Sequence, residues 1–177
     1  SVAQLNSEVT KAALDDKSFA SAISDVNNLK TSVDEYHSGL ITGKQLVDTY
    51  NKTIGETAGQ LKSVNEVEQF SIKQSSNYIQ AIFLRAKAQA ALTVATNATV
   101  EAAKRAQDPS KGDLFTGFLK TIPKILTGAN AIATVSSNVA QSQKEGVDSL
   151  NKQAQDGLKI FDKLKKESDA FNKKTGL

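Results

Sequence analysis

The stretch Val147–Phe171, VDSLNKQAQDGLKIFDKLKKESDAF, decides the fold. Val147, Leu150, Ala154, Leu158, Phe161, Leu164 and Phe171 follow one another at steps of three and four, and Ser168 fills the one gap. At helical pitch these positions form one apolar stripe for about six turns. Water does not support such a stripe on an isolated helix, so it must be buried against partner helices.

Working upstream, the same periodicity recurs. From Glu66 to Ala106 there is neither proline nor glycine, which predicts one helix of roughly 60 Å. Val67, Phe70, Ile79, Ile82, Phe83, Ala86, Ala90, Val94 and Ala102 supply its inner side. Asp108-Pro109-Ser110-Lys111-Gly112-Asp113 reads as a turn. Asp113 then caps a short apolar helix, Leu114 to about Thr127, and Gly128 separates it from a final helix over Ala129–Asn172. The charged tail after Phe171 is expected to fray.

Toward the N-terminus, Val2, Leu5, Val9 and Ala12 mark a first helix ending near Leu14. Asp15 and Asp16 are caps for a second, lined by Phe19, Ile23, Val26, Leu29 or Lys30, Val33 and Tyr36, the alternative being one long bent helix across both segments. His37-Ser38-Gly39 ends it, glycine supplying the left-handed cap. Thr42 opens the next helix, with Leu46, Val47, Tyr50, Ile54, Ala58, Leu61 and Val64 inward and a break near Ser63–Asn65. Gly55 and Gly59 weaken it, each by about 1 kcal/mol relative to alanine. The expected architecture is all-α: one domain over 1–177, an elongated antiparallel bundle of about five to six amphipathic helices. Its two long helices, about 66–107 and 129–172, are joined by the short apolar helix, about 114–127.

Composition agrees. The 177 residues are 39% hydrophobic and 6% aromatic, with no Cys, Met or Trp and two prolines, Pro109 and Pro123. The core must therefore be built from Leu, Ile, Val, Phe and Ala, and stabilised by long interfaces rather than a few large anchors. The absence of cysteine excludes disulfides and thiolate metal sites. With no methionine, Ser1 is read as the start of a trimmed or processed chain, its leader removed. No apolar run approaches the roughly 18 residues of a membrane span. Net charge is +3, from 22 basic and 19 acidic residues that are well mixed.

Candidate sites are few. Within 114–126, the side chains of Leu114, Phe115, Phe118, Leu119, Ile122, Ile125 and Leu126 share a face beside Lys111, Lys120 and Lys124, and Pro123 should kink the helix. Such a short, basic, amphipathic helix either crosses the bundle end as core or serves as a lid or lipid-docking face. The alanines between Ala86 and Ala103 either let helices pack closely or leave a tube for an acyl chain. The lysines of the C-terminal helix (Lys152, Lys159, Lys163, Lys165, Lys166, Lys173, Lys174) are interleaved with Asp156, Asp162, Glu167 and Asp169. They read as a solvated face, without the aromatics a nucleic-acid site would use.

His37, the single histidine, has no companions at metal-ligand spacing and sits where a helix-end cap is expected. Glu66 and Glu68, like Asp15 and Asp16, point different ways on a helix and make no acid/base couple. No G-x-S-x-G, P-loop or dinucleotide fingerprint occurs. Asn51-Lys52-Thr53 and Asn97-Ala98-Thr99 are sequons, so Asn51 and Asn97 are candidate glycosylation sites in a secreted chain.

In size, lack of cysteine, Ala-rich amphipathic helices and scarcity of aromatics, the chain is similar in kind to the exchangeable insect apolipophorins. It also resembles the fungal hydrophobic-surface-binding and cell-wall mannoprotein group. The likeness is one of composition and carries over no residue. The expectation is a secreted, non-enzymatic bundle that binds an apolar ligand or lipid surface, with 114–126 as lid or docking face and Phe83 among the contacts. No cofactor, metal or nucleic acid is expected. The alternatives are a membrane-inserting helical toxin and a structural or effector bundle that binds a protein partner.

Overall fold

A computed structural model describes residues 2–105 and 147–177, and every element among them is an α-helix. In chain order these are α1 Val2–Leu14, α2 Lys17–His37, α3 Gly43–Lys52, α4 Gly55–Ala58, α5 Val64–Lys73, α6 Ser75–Arg105 and α7 Val147–Thr175. The predicted turn at 108–113, the short helix 114–127 and residues 129–146 lie outside the described residues.

The helix starts are set by side chains that replace missing intrahelical partners. The Asp16 carboxylate accepts the Ser18 and Phe19 N–H groups at 2.8 and 3.3 Å, fixing the start of α2. Thr42 and Gln45 form a reciprocal capping box at α3, and Ser63 and Glu66 form another at α5. Each such cap is worth about 1 kcal/mol. Gly39, at φ +75°, ends α2 as expected.

Three expectations are corrected. The single helix over 66–107 is two helices meeting at Gln74, whose φ of −116° departs from helical geometry. The Ser75 hydroxyl donates to the Ser71 carbonyl at 2.8 Å, and such back-bonding by serine bends helices without any proline or glycine. Second, the helix opened at Thr42 stops at Lys52 rather than near Ser63. The backbone turns at Thr53 (φ −119°, ψ −94°), and a short turn of helix, α4, follows before the chain crosses to Ser63. Third, the C-terminal tail does not fray after Phe171. The helix continues to Thr175, Gly176 adopts φ +74°, and the Leu177 N–H returns to the Asn172 carbonyl at 3.1 Å. Leu177 packs on the core, and the Gln74 side-chain amide donates to the Thr175 carbonyl at 2.9 Å. A glycine cap followed by a half-buried leucine is the Schellman arrangement, which satisfies the last carbonyls.

The chain forms two compact units. One comprises Lys11–Ala86 and Lys165–Leu177. Its core holds Ala22, Val26 and Leu29 of α2, Leu46 and Tyr50 of α3, Ile54, Val67 and Phe70 of α5, and Tyr78 and Ile82 of α6. Here α2 packs on α3 and α5, and α3 packs on α5. Tyr50, Phe70 and Tyr78 stack edge to face at 5.0 and 6.2 Å, each contact adding about 0.5–1.5 kcal/mol beyond burial. Ile23, expected inward, is 37% exposed, and Ala22 takes the inner position.

The other unit comprises the described residues within Ser1–Thr10 and Lys87–Leu164. Leu5 and Val9 of α1 are buried there, as are Ala88, Ala91, Leu92, Ala95, Ala98 and Ala102 of α6. Ala154, Leu158, Phe161 and Leu164 of the α7 stripe are buried as their spacing required, together with Ile160.

Candidate functional site

The site that stands out in the second unit is a groove bordered by α1, α6 and α7. Its main chamber, about 590 Å³, is lined by Val2, Gln4, Leu5 and Glu8 of α1 and by Ser149, Lys152, Gln153 and Asp156 of α7. A neighbouring cleft of about 270 Å³ is lined by Val94, Asn97, Ala98 and Glu101 of α6, Leu150 and Gln153 of α7, and Glu8. Glu8 and Gln153 line both spaces.

The helical period explains the convergence. Val94, Asn97, Ala98 and Glu101 stand at i, i+3, i+4 and i+7, and so do Ser149, Lys152, Gln153 and Asp156. Each set is therefore one continuous helix face. A close approach of α6 and α7 lies beside this cleft. A Cβ placed on Gly157 of α7 would lie 3.0 Å from the Ala95 Cβ and 3.2 Å from the Ala95 Cα and N. The alanines of α6 thus let the two helices touch at that level, which settles there between close packing and an acyl tube. The cleft runs beside this contact, along α6 from Val94 to Glu101, and Leu150 of α7 packs on Ala102 of α6 beyond it.

Chemically the groove is mixed. Val2, Leu5, Val94, Ala98 and Leu150 give it apolar surface, while Glu8, Glu101, Asp156 and Lys152 bring charge and Gln4, Gln153, Asn97 and Ser149 bring amides and a hydroxyl. Leu5 and Ala98 are buried, whereas Glu8, Lys152 and Gln153 are exposed. Such a lining offers van der Waals contact to a hydrocarbon and hydrogen bonds to a polar head.

The sequence candidates fall elsewhere or outside the described residues. Leu114, Phe115, Phe118, Leu119, Ile122, Ile125 and Leu126 lie outside them. Phe83 is half-buried in the first unit, its ring 4.9 Å from that of Phe19 and tilted by 44°. Asn51 is tied to a neighbouring loop: its side-chain N–H donates to the Leu61 carbonyl at 2.8 Å, and its side-chain oxygen accepts the Leu61 N–H at 2.8 Å. The Asn97 side chain is exposed on α6 and borders the groove, while the Thr99 hydroxyl of its sequon donates to the Ala95 carbonyl at 2.9 Å.

The other polar features are structural in geometry. Asp16 caps α2, and Glu66 accepts the Lys62 and Ser63 N–H groups at 2.8 and 3.0 Å. Those backbone bonds hold the Glu66 carboxyl below its ordinary range. His37, at the end of α2, pairs with Glu68 of α5. Burial raises Asp25 above the usual carboxylate range, with the charge of Glu56 adding to it. Burial likewise pushes Tyr50 up to about 12, with its hydroxyl donating to the Gly59 carbonyl at 3.1 Å.

Sequence reasoning missed the groove because its α7 side was read as a solvated face. The available signal was the i, i+3, i+4, i+7 set on α6, where Val94 and Ala98 alternate with Asn97 and Glu101. Among the described residues no group of three or more His, Cys, Asp or Glu is placed to hold a metal ion, and no helix is long and apolar enough to cross a membrane. No protein-family model, curated protein or solved structure matches the chain.

Proposed function

We propose that this chain is a non-enzymatic, secreted binding module that takes up an apolar or amphiphilic ligand, a lipid foremost, in the groove bordered by α1, α6 and α7. The observation that carries this reading is the mixed lining. The faces of α1 and α7 bring Val2 and Leu5 together with carboxylates, amides and one lysine around a chamber of about 590 Å³, and Val94, Ala98 and Leu150 line the neighbouring cleft of about 270 Å³. Ligand sites of about 300–1,000 Å³ commonly pair an apolar surface with a few polar groups that orient the ligand. In this reading the hydrocarbon lies along Leu5, Val94, Ala98 and Leu150, and the polar end faces Glu8, Lys152 and Gln153. Segment 114–126 belongs to the proposal on its sequence alone, as lid or docking face.

Titration of the lipid-stripped protein with a fluorescent long-chain fatty acid tests the reading. Saturation is expected near one probe per chain. At a free probe concentration of 100 Kd the apparent stability rises by about 2.7 kcal/mol, as linkage requires. The Val94→Glu substitution should weaken uptake while leaving the helical circular dichroism unchanged. A probe that neither saturates nor raises the melting temperature overturns the proposal. Dye release from protein-free vesicles would instead favour a membrane-inserting toxin, and inertness toward both would favour a bundle that binds a protein partner.

A further inference from the structure

We infer that Asn97 is a site of N-linked glycosylation, and that the folded protein carries its sugar there rather than on Asn51. The inference rests on the secreted part of the reading above and adds a modification to it. The chain holds two Asn-X-Thr sequons, Asn51-Lys52-Thr53 and Asn97-Ala98-Thr99. Both offer the same acceptor chemistry, so what separates them is the room each side chain has in the fold. Asn97 is exposed on α6, in line with exposed Gln89 and Thr93 at steps of four, while Ala91, Ala95, Ala98 and Ala102 are buried. A sugar on the Asn97 nitrogen projects from that outer stripe, at the rim of the cleft of about 270 Å³, and displaces no packed side chain. Asn51 is half-buried, and both ends of its amide are engaged with the Leu61 backbone, at 2.8 Å each. A sugar there takes one of the two nitrogen hydrogens and stands against half-buried Leu61.

The covalent step forms a bond from the Asn97 side-chain nitrogen to the anomeric carbon of a lipid-linked oligosaccharide diphosphate. The bond from that carbon to the phosphate oxygen breaks, the lipid diphosphate leaves with the electron pair, and the nitrogen gives up one proton. A eukaryotic secretory pathway supplies the donor, and this chain supplies the acceptor. The Thr99 hydroxyl, the other half of the sequon, is buried in the folded chain and donates to the Ala95 carbonyl at 2.9 Å. Transfer therefore precedes closure of α6, after which Thr99 turns inward and Asn97 stays outside. The Thr53 hydroxyl is likewise bonded in the fold, to the Thr49 carbonyl at 2.8 Å. Both sequons thus meet the transferase before folding, and the fold discriminates between the products: it accepts a sugar on Asn97 and is weakened by one on Asn51.

The test is secretion of the full chain from a eukaryotic host behind a cleavable leader, with sugar located by peptide mass before and after enzymatic release. Thr53→Ala keeps the Asn97 sequon and the Asn51 side-chain bonds, and Asn97→Gln keeps the Asn51 sequon. Each secreted protein is compared in thermal melting with the same variant made in a bacterial host without the sugar. The parent and Thr53→Ala are expected to carry sugar on Asn97 and to melt as their unmodified counterparts do. Any Asn97→Gln protein that carries sugar on Asn51 should melt about 4 °C or more below its unmodified form. Secreted Thr53→Ala without sugar on Asn97 overturns the site, as does a sugar on Asn97 that lowers melting by a similar amount. A sugar on Asn51 that leaves melting unchanged overturns the discrimination between the two. Because the leader imposes secretion, none of these results bears on ligand uptake, which the fatty-acid titration decides.

Discussion

Replacing Asn51 should loosen the first unit through a loop ten residues away in sequence. Asn51 sits at the end of α3 and makes the same two bonds to Leu61 that a β-bridge partner would, both at 2.8 Å. Its own carbonyl also accepts the Gln60 side-chain N–H at 3.0 Å. In Asn51→Ala the two side-chain bonds disappear, each worth about 1 kcal/mol net. Leu61 is half-buried, so water reaches its freed N–H and C=O only in part, and a loss of about 2–3 kcal/mol follows. Asn51→Asp separates the two bonds. Its carboxylate still accepts the Leu61 N–H but opposes the Leu61 carbonyl, a contact that becomes a hydrogen bond only when the acid is protonated. The aspartate variant should therefore recover stability relative to the parent as pH falls below the carboxylate range. Urea unfolding followed by circular dichroism measures both effects, with an unchanged denaturant slope. Parent-like stability in Asn51→Ala would refute the clasp. The same geometry bears on the sequon, since a glycan on the Asn51 side-chain nitrogen would occupy one of its hydrogens and crowd the half-buried Leu61.

Other outcomes follow from the same framework. Gly157→Ala gains about 1 kcal/mol in helix propensity, yet its Cβ meets the Ala95 backbone at 3.2 Å. Helix backbone cannot yield locally, so overpacking of about 1–3 kcal/mol should prevail and thermal melting should show net destabilisation. Asp25 and Glu66 should respond to acid with opposite signs. Glu66 is held low by backbone N–H groups, so its stabilising effect is present above the unfolded carboxylate pKa and lost as pH falls through its folded value. Asp25 is held high by burial and by Glu56, so its neutral form suits the fold and stability declines as pH rises through its folded value. In paired melting series, Glu66→Gln should differ from the parent at pH 7 and converge with it in acid. Asp25→Asn should be the more stable protein at pH 7 and should also converge in acid; a stability gap for either that ignores pH counts against these assignments.

Much of the fold was legible because local chemistry and tertiary packing point the same way. Asp16, Thr42 and Gly39 are read as helix ends from their residue types, and the structure places a cap or a positive φ at each. The α7 stripe required burial at Ala154, Leu158, Phe161 and Leu164, and all four are buried. The misread boundaries depend on long-range partners. α3 ends early where Tyr50 and Asn51 bond to Gly59 and Leu61, groups that no window over α3 brings together. Gln74 interrupts an unbroken apolar period, and its side chain bonds to Thr175, 101 residues later. The tail read as fraying is ordered through the same residue and through Leu177.

The groove was illegible for a related reason. Periodicity identifies which face of a helix is buried, and it is silent on where two buried faces part. The contact of Gly157 with Ala95 brings α6 and α7 together at one level, and Leu150 packing on Ala102 brings them together at another. The cleft lined by Val94, Ala98, Leu150 and Gln153 runs beside these contacts. Close contact and cavity are two consequences of the same packing, and a methyl group at Gly157 perturbs both. Gly157→Ala should accordingly change probe affinity as well as stability, whereas Asn51→Ala, with its effect confined to the α3–α5 loop, should change stability and leave affinity alone. If both variants shifted affinity in proportion to their loss of stability, uptake would track unfolding, and the groove would lose its claim to be the binding site.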